Sequence, residues 1–333
     1  ACPLLVLLFE RFGEALSGGY RPFSKGLLSL QATVASVAPF ALWDFLVVGF
    51  ALAALFTLVR RVVRRRPLLP WLSVVLLVSS ATLFLFVSGW ALNHYAPSLA
   101  NEIGLEVGAY TDDELAAATR HYLERAAALA PSVPRGEDGE LLRQDFYELA
   151  RIAGGSYREL SESYGIFEGS QAPVKALLLL GEPLLLSGHV GIFFSPTGES
   201  SVPVNCAVAD LPFTMCHEAA HRLAIAREQE ANFAAFLACT TSDDVRFSYS
   251  GYYSAFSFCY GALRRSDPDR AARLLDEVRT SGLDAGVGLV LTDLVATGRH
   301  YDAYEGWFGR VGSAVNDGYL RSFGEREGVK SYG

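Results

Sequence analysis

Two long apolar runs separated by a block of arginines constrain this chain more than any other feature. Between Ser36 and Leu92 the only charged residues are Asp44 and the five arginines Arg60, Arg61, Arg64, Arg65 and Arg66. The first run, Phe40 to Val59, has 20 residues and is interrupted only by Asp44. A helix of that length reaches about 30 Å, the hydrocarbon thickness of a bilayer. The second run, Trp71 to Leu92, follows Pro67 and Pro70 and carries Trp90 near its far end, where interfacial aromatics sit. Two buried helices of a soluble core are the blander alternative, but both runs exceed the roughly 18 residues at which a span is the simpler reading. The pattern predicts a transmembrane hairpin over about 40–59 and 71–92, with the lipid bilayer as a partner.

The arginines also predict an orientation. Five positive charges in 60–66 outweigh Arg11, Arg21 and Lys25 on one flank, and no Lys or Arg occurs between Trp90 and Arg120 on the other. The positive-inside rule then puts the arginine loop in the cytoplasm and everything after Leu92 outside it. Residues 1–92 are thus expected to be a membrane anchor in a multi-pass cell-membrane protein. Residues 1–9 are apolar but too short to span, and are expected to be part of an earlier segment. Residues 22–38 are expected to form a short interfacial helix. Asp44 is open to two readings, a functional carboxylate inside a span or one that reaches headgroup water.

Composition narrows the remainder. A net charge of −8 and a pI near 5.3 leave no basic face for nucleic acid, so no nucleic-acid partner is expected. The five cysteines form no C-x-x-C pair and no even framework, with a single Cys206–Cys216 or Cys239–Cys259 bridge left open. The lone Met215 suggests a processed or partial chain. From Asn93 to Gly333 the sequence reads as an extracytoplasmic globular domain. Thr111 to Glu114 is a capping box opening a helix to about Leu129, ended by Pro131 and Pro134. A second helix is predicted over about 140–153. Strands are predicted at 174–178, 190–194 and 201–204, with a turn at 195–199 that takes in Glu199. Helices return from Pro212 onward. The expected class is α+β, helix-dominated, with a small sheet.

The chemistry concentrates at His217-Glu218-Ala219-Ala220-His221, an H-E-x-x-H motif. On a helix, positions i and i+4 share a face, so both imidazoles can reach one metal ion, Zn2+ being the expected one. Glu218 is rotated roughly 100° away, which suits a general base rather than a ligand. Glu228 and Glu230, seven and nine residues after His221, are both candidates for the third ligand. Glu228 and Asn232 lie four apart, so one face would present a carboxylate to the metal and an amide to a ligand histidine. The alternative is a solvated helix with incidental histidines.

The H-E-x-x-H followed by a helix with E-x-x-x-(D/N) resembles the gluzincin branch of zinc metallopeptidases. That resemblance implies a zincin-like fold, zinc ligation by His217, His221 and Glu228, base duty for Glu218, and support from Asn232, with Glu230 beside it. Asn stands where those enzymes usually carry Asp. A closer resemblance is to an uncharacterised bacterial family of membrane-bound zinc peptidases. It rests on the order of blocks Pro196–Glu199, Leu211–His221, Glu228–Phe233, Tyr249–Tyr252 and Gly328–Gly333. Ala224 departs from the Gly such members tend to carry after the first helix.

Two further features are weighed against plain packing. Gly191–Val204 could present an edge strand to an extended peptide, and Tyr249 or Tyr252 could donate to an oxyanion. His94, His121, His189 and His300 are expected to be structural, and Cys216 to pack in the core. The function expected is hydrolysis of peptide bonds in a peptide or protein substrate by a membrane-anchored zinc metallopeptidase. The alternative is a non-catalytic membrane receptor or scaffold that keeps the fold.

Overall fold

The computed structural model describes residues 2–323, so the Gly328–Gly333 block lies outside the described residues. The first helix, α1 (Cys2–Ala35), takes in both N-terminal stretches predicted as separate segments. Its helical geometry breaks at Phe12, where φ is −130° and ψ 19°. The rings of Phe9 and Tyr20 meet edge-on at 5.0 Å, so the first turns fold back on those after the break. The apolar runs become α2 (Leu42–Val63) and α3 (Leu69–Gly89). By length and composition both can cross a membrane, and most of their side chains are exposed. The Trp71 indole donates to the Ala54 carbonyl at 3.1 Å and closes the hairpin beside the arginine loop.

The rest is built mainly of helices. A short α4 (Leu99–Ile103) precedes α5 (Asp112–Leu129), which opens on the predicted capping box: Thr111 Oγ1 accepts from the Glu114 N–H and Glu114 accepts from the Thr111 N–H. The predicted helix at 140–153 begins later, as α6 (Phe146–Gly155), because Asp145 caps it and 135–141 closes into a turn instead. After α7 (Arg158–Ser163), β1 (Lys175–Leu177) leads through α8 (Gly181–Leu186) to β2 (Ile192–Phe194) and β3 (Glu199–Pro203). The sheet order is β1-β3-β2, with β3 parallel to β1 and antiparallel to β2, so β2 is an edge. Then come α9 (Leu211–Arg222), α10 (Glu228–Thr240), α11 (Val245–Ser266), α12 (Pro268–Val278), α13 (Asp284–Asp302) and α14 (Trp307–Ser322). One core gathers around α6, α9 and α10; a second lies among α5, α11, α12 and α13. The cysteines are all free, so neither predicted bridge forms, and Cys216 is buried in the first core.

Two carboxylates join the hairpin to the sheet. Asp44 is fully buried and accepts backbone N–H groups of Leu178, Leu179 and Leu180 at 2.7–2.9 Å. It does not reach toward headgroup water; it caps the turn after β1. Glu199, expected in a surface turn, is buried in β3 and accepts from the N–H groups of Leu42 and Trp43 at 2.8 and 3.1 Å. Each satisfies backbone donors that would otherwise be buried without a partner. Lys175 completes the junction by donating to the carbonyls of Ala35 and Ala38. We expect Asp44→Ala, which strands three N–H groups, to cost about 3 kcal/mol. A fall in the thermal midpoint of the detergent-solubilised chain would register it, and an unchanged midpoint would refute the capping role.

Candidate metal centre

The site begins with α9, which Pro212 helps to start at its first turn, where the missing N–H costs nothing. His217 and His221 project from one face, their rings edge-to-face at 4.7 Å. The chain then turns sharply at Ala224, which sits in the left-handed region at φ +64°. The Ala224 N–H bonds to the His221 carbonyl at 3.0 Å and the Ile225 N–H to the Ala220 carbonyl at 3.3 Å. This closes the end of α9 without the glycine such a turn favours. It also swings α10 back so that Glu228, in its first turn, faces both histidines.

The three side chains converge. His217 Nε2 lies 3.1 Å from His221 Nε2 and 3.1 Å from Glu228 Oε2, and His221 Nε2 is 3.6 Å from the same oxygen. The opposite ring nitrogens are spoken for: His221 Nδ1 donates to the Ile225 carbonyl at 2.8 Å, and His217 Nδ1 pairs with Asn232 Oδ1 at 2.8 Å. A carbonyl oxygen only accepts, so each Nδ1 carries its proton, and a ring in its neutral form turns the Nε2 lone pair inward. Two lone pairs and a carboxylate oxygen then point at one another, an arrangement that requires a cation or shared protons between them. Among the described residues this is the one His/Cys/Asp/Glu group close enough to hold a metal ion. Two nitrogens and a carboxylate oxygen are also the donor set that suits zinc.

The electrostatics follow from burial and charge. Burial disfavours a charged His221, but the Glu228 carboxylate, with Glu218 and the Ile225 carbonyl, outweighs it and raises the imidazole to about 9. Burial would raise Glu228, yet His221 and His217 hold it well below the carboxylate range. Glu218 behaves oppositely. It is 4% exposed, and burial pushes its carboxyl up to about 7 against the pull of the two histidines. Its Oε2 has no hydrogen-bond partner. Space for the carboxylate comes from Gly191, just before β2: a Cβ there would strike Glu218 Oε1.

The other predicted residues lie elsewhere. Glu230 turns away and pairs with Arg227 at 2.8 Å, so Glu228 alone completes the triplet. Tyr249 is fully buried in the second core, its hydroxyl given to Asp293, which Arg135 also holds through two bonds of 2.9 and 2.8 Å. Tyr252 packs on Phe236, with Arg125 over its ring at 5.1 Å. Neither tyrosine joins the donor triplet, because their face of α11 is turned to α5 and α13. Several residues went unread in the sequence. Carbonyls of α9 accept from Tyr157 (to Cys216, 2.9 Å), Ser200 (to Glu218, 2.6 Å) and Trp90 (to His221, 2.8 Å). Burial lowers the His189 imidazole, with the Glu228 carboxylate pulling the other way, and its Nδ1 pairs with Ser187 Oγ at 2.9 Å. Only Gly191 and Trp90 carried a sequence signal, a glycine ahead of a strand and an aromatic at a span's end.

Residues 20–333 match the family described as protein of unknown function DUF3810. The chain belongs to that family. The expected kinship with an uncharacterised family is thereby met, and the DUF3810 match itself carries no activity. No curated protein and no solved structure matches the chain. The left-handed Ala224 in this DUF3810 chain gives a direct test of the turn. Ala224→Gly removes a strained Cβ and should stabilise by about 1 kcal/mol, net of the extra entropy that glycine gives the unfolded chain. A rise in the denaturant midpoint would confirm it; a fall would mean that the Ala224 methyl packs better than its backbone is strained.

Proposed function

We propose that this protein is a membrane-anchored zinc metallopeptidase. The reading rests on one observation: an unpartnered, buried Glu218 carboxylate beside three inward-facing donors from His217, His221 and Glu228. A structural metal site has no use for a buried carboxylate without a partner, whereas hydrolysis needs a base there. A zinc ion held by the three donors would supply a Lewis acid that polarises a peptide carbonyl and acidifies water. The chain's own residues do the rest. Glu218 Oε2 takes the proton of the attacking water and returns it to the leaving amine. With its carboxyl raised to about 7 by burial, the proton is neither too tightly nor too loosely held for that exchange near neutral pH. Asn232 and the Ile225 carbonyl keep both imidazoles in the tautomer that offers Nε2. The buried Trp90 and Ala91 belong to the same body as α9, so the full chain, not a fragment from Asn93, is the form to test.

Orientation is part of the proposal: the arginine loop in the cytoplasm and the site outside it, as the positive-inside rule predicts. Metal analysis of the gently purified chain should find about one zinc per chain. Glu218→Gln should retain that metal and lower cleavage of an unfolded protein by at least about 100-fold. A chain without zinc, or a Glu218→Gln variant as active as its parent, would overturn the reading. Asn232→Ala should keep the triplet but weaken zinc binding about 10- to 100-fold in a competition titration with a chelator. Unchanged affinity would mean that Asn232 does not orient His217.

A further inference from the structure

The second part of α1 joins the two places where the hairpin meets the globular body. Ser24 Oγ donates to the Gly89 carbonyl at 2.6 Å, at the end of α3. Seventeen residues on, the Ala41 N–H bonds to the Ala176 carbonyl at 3.0 Å, at the start of α2. Counted from the arginine loop, α2 has 22 residues and α3 has 21. At 1.5 Å per residue each spans about 32 Å, one hydrocarbon thickness. Leu42 and Gly89 therefore reach the far boundary of the bilayer together, and the segment between Ser24 and Ala41 runs along that boundary.

This segment has two faces. Ser24, Leu28, Ala32 and Ala35 are buried against the body, where Gly198 in the β2–β3 turn comes close enough to leave no room for a Cβ. Phe23, Leu30, Val34 and Val37 form an outward stripe that is 59%, 64%, 64% and 84% exposed. No charged residue occurs between Lys25 and Asp44. An uncharged apolar stripe at the level where two spans leave the membrane, and continuous in chain with one of them, has lipid as its fitting occupant. Each span also ends on an element that borders the site. Trp90, closing α3, donates to the His221 carbonyl and sets its ring 5.7 Å from that imidazole. Trp43, opening α2, stacks on Phe194 of the edge strand β2 at 4.8 Å. The metal helix and the edge strand thus lie one side chain away from the membrane boundary.

We propose that the site lies at the level of the bilayer surface, with the α1 stripe in the lipid, and that its substrates are polypeptide segments emerging from a membrane anchor of their own. The substrate class rests on the peptidase reading; the placement does not. Both can be tested on the full chain in vesicles of phosphatidylethanolamine and phosphatidylglycerol. The photoreactive residue p-benzoylphenylalanine in place of Leu30 or Val34 should give lipid adducts, and in place of exposed His121 none. Adducts to a second copy, or no lipid adducts, would overturn the placement.

For substrate class, an unstructured tail attached to a single transmembrane helix is compared with the same tail free in solution. Cuts in the anchored tail should fall within its first ten or so residues, about 35 Å of extended chain. The free tail at equal bulk concentration should be cut at least about 100-fold more slowly. Equal rates, or cuts confined to the distal end, would overturn the substrate class. If neither tail is cut faster than by Glu218→Gln, the peptidase reading fails and the substrate class with it. The lipid adducts still decide the placement.

Discussion

Three acceptor atoms that face one another across 3.1–3.6 Å are the constraint to which the surrounding structure answers. Such atoms repel, and the repulsion is large where side chains are 12% exposed or less and the local dielectric is low. The ordinary escape would be a rotation of one ring, but each Nδ1–H is bonded behind, to Asn232 or to the Ile225 carbonyl. Relief then comes only from a positive charge placed among the three. The proposed zinc is one such charge, and shared protons are the other. Positive charge on the histidines holds Glu228 far below its usual range against its burial, whereas burial pushes Glu218, outside the triplet, the other way.

Holding those atoms requires α9 to be fixed in three directions. Its carbonyls at 216, 218 and 221 accept side-chain hydrogen bonds from Tyr157, Ser200 and Trp90. These come from the α6–α7 junction, the central strand of the sheet and the end of α3. Two of the three therefore belong to elements that carry the hairpin: β3 also supplies Glu199 to the start of α2, and Trp90 ends α3. Body and hairpin share hydrogen bonds across this junction. Trp90, Ala91 and Leu92, on the near side of the sequence boundary at residue 93, are buried in one cluster with Phe193 and Ala226 on its far side.

What the sequence could reveal follows from how local each feature is. The capping box at Thr111, the two apolar runs and the i, i+4 pairing of His217 with His221 are readable because neighbours in sequence determine them. The three strands were recognisable by composition, each within a residue or two of its observed bounds. Asp44 and Glu199 were misjudged because their partners lie 134–136 and 156–157 residues away. A carboxylate's sequence neighbourhood does not say whose N–H it caps. Tyr249 and Tyr252 lie apart from the triplet for a related reason. A Tyr near a motif in sequence carries no information about the face of its helix, and Asp293 with Arg135 decides it for Tyr249. Residues 1–9 and 22–38 read as separate because charged and small residues interrupt them, while the chain runs helically from Cys2 to Ala35 with a break at Phe12.

The choice of Glu228 over Glu230 shows how packing finishes what spacing leaves open. Both sit in the first turn of α10, two residues or about 200° apart, so only one can face α9. The face is set further along the helix. Ala231, Ala234, Ala235 and Ala238 follow at i, i+3, i+4 and i+7 and have no exposure, so this small-residue edge is the one pressed against the first core. Glu228 and Asn232 continue that edge toward the site, and Glu230 lies off it, beside Arg227. Alanines there allow the helix axes to come closer than leucines would. Metal ligation tolerates only about 0.2 Å in donor distance. Whether the Glu228 side chain of α10 reaches the histidines of α9 thus depends on methyl groups up to nearly three turns away.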